Sequence, residues 1–159
     1  MDIEIIVRLV ALLLAALVTG ALMVNWIGLS RAMAQMSSAA AYTEFHQATN
    51  RTFEPYMPIV VSGSIVSGIA LAVVSSGVHS ASGWLAIGGT ICYAIVIAIS
   101  ISTGLPINKA IAGWSIQSPP DNWKDIRAQW IRWHIVRTLV SVPALFCYLL
   151  SVLFGCPPR

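Results

Sequence analysis

The residues best suited to acid–base and anion-binding chemistry lie in two polar segments of an otherwise apolar chain. The first segment carries His46, Asn50 and Arg51. The second segment contributes an amide, two indoles, an imidazole and a guanidinium, at Asn108, Trp114, Trp130, His134 and Arg137. Imidazole titrates near neutral pH, and amide and guanidinium groups bind negative charge. Both segments must lie together for these groups to form one site.

Four apolar runs flank these segments and predict membrane-spanning helices. They cover Ile3–Val24, Pro58–Val78, Gly83–Leu105 and Val136–Phe154. Each run is close to the ~20 residues that a helix needs to cross ~30 Å of hydrocarbon. Charged residues make up only 9% of the chain, against about 25% in soluble domains. Because the polar segments follow the first and third crossings, they share one side of the membrane.

The predicted fold class is all-α, a transmembrane four-helix bundle with an additional interfacial helix between helices 1 and 2. The interfacial helix is expected between Ala39 and Pro58, where Tyr42, His46 and Asn50 follow one another at helical spacing with Phe53. The chain of 159 residues is expected to form a single integral membrane domain, residues 1–159. A cleaved signal peptide is the alternative for the first run, but the acidic start disfavours it.

The distribution of Lys and Arg predicts the orientation. The first and third connections hold most of the cations, at Arg31, Arg51, Lys109, Lys124, Arg127 and Arg132. The short connection Gly77–Ser82 has none. Cytoplasmic loops carry the excess of positive charge. We therefore expect both long connections in the cytoplasm and both termini outside, in a bacterial inner membrane, with the lipid bilayer as partner and no nucleic acid.

Patterns within the apolar runs predict close helix packing. Small residues recur four apart at Ser64 and Gly68, and more loosely at Gly88 and Gly89, which lets helix backbones approach closely. Pro143 is expected to kink the last helix or free a carbonyl. Cysteines form no Cys-x-x-Cys pair, so neither a zinc site nor a redox dithiol is indicated.

The second polar segment predicts a helix with one unusual face. Asp121 follows two prolines and is a candidate N-cap. Downstream, five large polar or aromatic residues recur at intervals of three and four, at Trp123, Arg127, Trp130, His134 and Arg137. An interfacial aromatic belt would explain the indoles. Ionisable groups at the depth of His134 and Arg137 usually face the bundle interior, and we expect these two to face His46 and Asn108.

The order and spacing of these residues resemble the anthrone oxygenase family of small four-helix integral membrane proteins. The resemblance covers almost the whole chain and rests on Glu44-Phe45-His46-Gln47, Asn50-Arg51, Pro106-Ile107-Asn108, Trp114, Pro119-Pro120, Trp123, Arg127, Trp130 and His134-x-x-Arg137. It implies an enzyme that oxidises a hydrophobic, anthrone-like aromatic substrate with dioxygen, with no established cofactor requirement.

Anthrone chemistry assigns each site residue a role. An anthrone has an acidic methylene, so the site needs a base, donors for the resulting oxyanion and a dry aromatic pocket. His46 or His134 is the expected base, and Asn108 and Arg137 are the expected donors. The substrate-binding residues are expected to be Asn50, Trp114 and Trp130.

Two other functions fit the same residues. His46 and His134 are also suited to ligate a b-type haem, or a copper or iron ion, with Glu44, Glu54 or Met57 as the nearby candidates for a third ligand. In a non-catalytic accessory subunit, both histidines would only satisfy internal hydrogen bonds. Homo-oligomers and membrane complexes are compatible with the sequence. His79, in the short connection, is assigned no role.

Overall fold

The protein is helical throughout its membrane-spanning part in a computed structural model that describes residues 2–74 and 77–155. Its α-helices are α1 (Ile3–Val24), α2 (Arg31–Gln35), α3 (Ala39–Phe53), α4 (Met57–Val74), α5 (Ala81–Ile99), α6 (Leu105–Ala112) and α7 (Trp123–Phe154). Two π-helical turns, Asn25–Ser30 and Ser100–Gly104, join α1 to α2 and α5 to α6 without a break. The described residues contain no strand. The all-α prediction is therefore confirmed.

Four helical stretches in the described residues are long and apolar enough to cross a membrane, as predicted. They are Ile3–Gln35, Met57–Val74, Ala81–Ala112 and Trp123–Phe154. Their apolar residues face outward as well as inward, as expected for helices that are solvated by lipid. The predicted second run extends to Val78, and its residues 75 and 76 lie outside the described part, as do Cys156 and Arg159.

The third crossing differs from the prediction because it does not end at Leu105. Helical backbone continues through Pro106 to Ala112. A proline is tolerated there because Pro106 stands in the first turn of α6, directly after a π-helical turn. The N-cap of α7 is Asn122 rather than the predicted Asp121, so the helix begins at Trp123. The last helix stays helical through Pro143.

Small residues do bring the crossings close together, as the spacing predicted. The Tyr148 ring of α7 lies against Gly68 of α4 and Gly89 of α5, where any added Cβ would collide with it. The Tyr148 hydroxyl donates to the Ser64 carbonyl at 2.9 Å. One buried aromatic side chain thus links α4, α5 and α7, and α1 completes the same core with Ala11, Ala15 and Val18.

A second buried cluster closes the end of the bundle that carries the polar segments. It contains Met33, Tyr42, Ile111, Trp123 and Trp130, all at most 7% exposed. Its rings hold the Arg127 guanidinium, which lies 4.7 Å from the Trp123 ring and donates to the Met33 carbonyl at 2.8 Å. The helix expected between the first two crossings is present as α3, with Ser38 accepting from the Ala41 N–H as its N-cap. Its position at the membrane surface stays a prediction.

Candidate functional site

A cavity of about 320 Å³ lies where α3, α4 and the ends of the other long helices meet. Its size is at the lower end of the ~300–1,000 Å³ typical of ligand sites. Most of the wall is apolar, from side chains such as Leu22, Val61 and Val96. Polar groups interrupt this wall at Asn25, Thr49, Asn50, Glu54, Ser62, Ser100, Asn108, Trp130, His134 and Arg137. A mostly apolar pocket with a few convergent polar groups is the usual form of a binding site.

Five of the seven predicted site residues line this cavity: Asn50, Asn108, Trp130, His134 and Arg137. The other two, His46 and Trp114, do not line it.

Trp114 belongs to the neighbouring aromatic cluster. Its ring centroid lies 6.5 Å from that of Tyr42, and its carbonyl accepts from the Gln47 amide at 3.0 Å. Trp114 therefore does not line this cavity, and its contact with a substrate stays a prediction. The role that its position fits is support of α3.

His46 lies behind the cavity wall, in contact with two residues that line the cavity: it neighbours the Asn108 amide, and its ring packs edge-on against Trp130 with centroids 4.9 Å apart. The Asn108 Oδ1 atom accepts from Trp130 Nε1 at 2.8 Å and lies 3.3 Å from His46 Nε2. An indole N–H can only donate, so this amide atom must be the oxygen, and His46 Nε2 must then carry a proton. The other ring nitrogen, Nδ1, accepts from the Tyr42 hydroxyl at 3.2 Å. These partners fix His46 as one neutral tautomer.

The surroundings of His46 keep it neutral. The side chain is fully buried, and this burial lowers the pKa of His46 to about 4, although the hydrogen bond with Asn108 partly opposes the shift. Burial likewise raises the pKa of Tyr42, and the nearby Arg127 charge partly opposes that effect. An efficient general base has a pKa near the working pH. His46 is therefore better suited to hold Asn108 in place than to take a proton from a substrate.

His134 is also held in one tautomer. The Arg137 Nη2 atom lies 2.8 Å from His134 Nδ1. Since arginine only donates, Nδ1 must accept, and Nε2–H then donates to the Leu22 carbonyl at 3.2 Å. The imidazole stacks on the Trp130 indole, with centroids 5.2 Å apart and an interplanar angle of 18°. Both rings of this stacked pair belong to residues that line the cavity.

The π-helical turn between α5 and α6 positions Arg137. Arg137 Nη1 donates to Ser100 Oγ at 3.1 Å, and a Cβ on Gly104 would lie 3.2 Å from the same nitrogen. Glycine at this position therefore leaves room for the guanidinium. Hydropathy alone does not reveal this contribution, because Ser100 and Gly104 read as ordinary small residues of an apolar run.

Two buried donors at the cavity lack a hydrogen-bond partner within the described chain: Arg137 Nε and Asn50 Nδ2. No carboxylate of the described residues lies within ion-pair distance of Arg137. The one carboxylate in the lining, Glu54, is exposed and so stands at the rim. An unpaired buried donor costs roughly 1–3 kcal/mol, which a ligand acceptor would offset. The polar part of the wall is therefore suited to a ligand oxygen with negative charge.

These histidines fit a haem or metal poorly. A metal ligand must offer a free nitrogen lone pair. All four ring nitrogens of His46 and His134 have hydrogen-bond partners, and the only lone pairs, on the two Nδ1 atoms, accept from Tyr42 and Arg137. Within residues 2–74 and 77–155, no group of three His, Cys, Asp or Glu residues is placed to hold an ion.

Fold and cavity together define a helical integral membrane protein with a donor-lined apolar pocket near one end of its bundle. The family model of anthrone oxygenases matches residues 45–147 of the chain. Since this match spans more than half of the sequence, the protein belongs to the anthrone oxygenase family, as the resemblance predicted. No curated protein and no solved structure matches the chain.

Proposed function

We propose that the protein is a membrane-embedded oxygenase-like enzyme that oxidises a hydrophobic, anthrone-like aromatic substrate with dioxygen. The observation that carries this proposal is the cavity wall, which is mostly apolar and includes two buried donors, Asn50 Nδ2 and Arg137 Nε, without a partner in the described chain. A flat polycyclic molecule with a ketone or phenol oxygen at its edge complements such a wall. Family membership supports the same reaction class.

The reaction balances with dioxygen as the only oxidant. A methylene carbon of the substrate becomes a carbonyl and loses four electrons. One atom of dioxygen enters that carbonyl, and the other leaves as water with the two methylene hydrogens. The first proton passes to water outside the inner wall, and the electron-rich anion that remains passes an electron to dioxygen; a proton returns from water when the peroxide forms. Recombination gives a hydroperoxide at the carbon, and loss of water completes the carbonyl.

In this proposal the protein mainly orients the substrate and stabilises its anion. Asn108 and Arg137 donate to the anionic oxygen, and donors that are already oriented stabilise a charge without reorganisation. The stacked Trp130 and His134 rings form a surface for the substrate plane. His46 acts as a positioning residue, because its Nε2–H and the Trp130 N–H together fix the Asn108 amide.

Oxygen uptake tests the proposal directly. Purified full-length protein in lipid vesicles, supplied with an anthrone, should consume dioxygen faster than protein-free vesicles and place one labelled oxygen atom in the quinone. Arg137→Met should remove most of this excess rate. Arg132→Met is the matched control, because Arg132 is an exposed residue of the same helix. An uptake rate equal to that of the empty vesicles, or full activity in Arg137→Met, contradicts the proposal.

We further propose that the donor-lined end of the bundle faces the cytoplasm of a bacterial cell, with both termini outside. The concentration of Lys and Arg in the first and third connections supports this orientation. Reporter fusions after Arg51 and after Arg159 should report opposite sides of the membrane. Two fusions on the same side would contradict it. A single domain spanning residues 1–159 and any partner subunits stay predictions.

A further inference from the structure

We infer that the cavity takes its aromatic ligand as a preformed anion, with an oxyanion or carboxylate at the edge of a flat ring system. The inference deepens the proposed function and rests on it for the identity of the site. It does not depend on the redox steps, because it concerns which charge state of the ligand binds.

The first argument is a positive charge that has no ion-pair partner among residues 2–74 and 77–155. Arg137 lies in a membrane-spanning helix, and its partners, His134 and Ser100, are both neutral. The carboxylate at the cavity rim, Glu54, makes no ion pair with it. Arg137 is half-buried, and a charge that is partly removed from water is unfavourable without a counterion; ionisable groups at this depth usually pair with another group. A ligand anion would supply the missing counterion.

The second argument is the number of donors that remain free on Arg137. A guanidinium has five N–H donors. Two of them are used, on Ser100 Oγ and His134 Nδ1. Three therefore remain, and one of these is the buried Nε–H, which has no acceptor within the described residues. Adjacent N–H groups of arginine bind carboxylates in a bidentate way. Asn50 Nδ2 adds another unpaired buried donor to the same cavity.

The third argument is the lack of an available base in the inner wall. His134 Nδ1 already accepts from Arg137, and its Nε2 donates to Leu22. His46 does not line the cavity. The exposed Glu54 at the rim is the one carboxylate among the lining residues. Because the His134 nitrogens are occupied and Glu54 stands at the rim, the inner wall is better suited to a ligand that has already lost its proton than to a neutral acid.

Equilibrium binding of two matched probes tests this inference. Anthracene-9-carboxylate and the neutral anthracene-9-carboxamide have nearly the same shape, and the fluorescence of the anthracene reports binding to the full-length protein in detergent micelles. A charged hydrogen bond contributes roughly 1.5–3 kcal/mol, so the carboxylate should bind about tenfold or more tightly than the amide. In Arg137→Met this preference should disappear, and in Arg137→Lys part of it should return. Arg132→Met should keep the wild-type ratio.

Each outcome has a distinct meaning. Equal affinities for acid and amide in the wild-type protein overturn the inference, and this comparison needs no variant to fold. An unchanged preference in Arg137→Met also overturns it. Displacement of the carboxylate by an anionic phospholipid but not by a zwitterionic one would identify a lipid headgroup as the occupant instead. An anion preference without oxygen uptake would leave this inference standing while the proposed function fails.

Discussion

Acidification should selectively destabilise the end of the bundle that contains His46. This residue is fully buried and neutral, and burial lowers its pKa to about 4 in the folded protein, against 6.5 for an exposed histidine. At pH values between about 4 and 6.5, His46 binds a proton in the unfolded chain but stays neutral in the folded chain. The stabilisation is therefore complete above the unfolded pKa of 6.5 and is lost as the pH falls toward 4.

The size of the effect follows from that difference. Each pKa unit corresponds to ~1.4 kcal/mol, so the shift of His46 contributes about 3 kcal/mol of stability at neutral pH. Most of it should be gone by about pH 4.5. For a chain of this length, 1 kcal/mol changes the melting temperature by roughly 2–4 °C. The contribution of His46 thus corresponds to a fall on the order of 5–10 °C.

Comparison with His46→Gln isolates this contribution. Glutamine keeps a donor and an acceptor but has no proton to gain in this range, so other titrating groups cancel between the two proteins. Near-ultraviolet circular dichroism reports the packing of the aromatic cluster and gives the melting temperature at each pH. As the pH is lowered, this melting temperature should fall more steeply in the wild type than in His46→Gln. The reasoning is refuted if the melting temperatures of the two proteins fall by the same amount between neutral pH and about pH 4.5.

The remaining predictions concern packing and hydrogen bonding. Gly104→Ala places a Cβ against the Arg137 guanidinium and should weaken anion binding severalfold. Gly88→Ala is the control, because its Cβ would meet only the Cys147 sulfur at 3.9 Å. Equal anion affinities in the two variants would contradict the role of Gly104 in making room for Arg137. Asn108→Leu leaves the donors of His46 and Trp130 without an acceptor and should lower the free energy of unfolding by roughly 2–4 kcal/mol in chemical unfolding. Asn108→Asp keeps the acceptor oxygen and should lose less of this free energy. A larger loss in Asn108→Asp than in Asn108→Leu would refute the hydrogen-bond network. Gly68→Ala forces a buried tyrosine out of place and should lower the melting temperature, while Gly20→Ala meets nothing within 4 Å and serves as the control; an unchanged Gly68→Ala melt would argue against the packing.

The membrane-spanning helices could be predicted from the sequence because they depend on one averaged property, the mean hydropathy of about 20 consecutive residues. A run of about 20 apolar residues indicates a membrane helix whatever its detailed packing. The polar face of α7 was predictable for the same reason, since Trp130, His134 and Arg137 recur at helical spacing. Three- and four-residue intervals place side chains together whichever partner they contact.

The roles within the site could not be predicted in the same way. Both histidines resemble bases in the sequence, and only their partners distinguish them. The tautomer of His46 depends on Trp130, which lies 84 residues further along the chain. The exclusion of Trp114 from the cavity depends on its contact with Tyr42. Such assignments are pairwise and long-range, so local composition does not contain them.

The π-helical turn Ser100–Gly104 makes the site separable from the crossing that carries it. Each residue of an α-helix turns the chain by about 100°, and a π-helical turn holds one residue more than the α-helix it interrupts. Loss of a single codon in this turn would restore a regular α-helix with α5 and α6 still in register, but it would remove the widened backbone that places Ser100 and Gly104 against the Arg137 guanidinium. The packing of α5 on α7 would survive that change. A protein altered in this way would still insert as a four-helix bundle. A one-residue gap at this turn in an aligned sequence therefore marks relatives that keep the four-helix scaffold but lack the pocket.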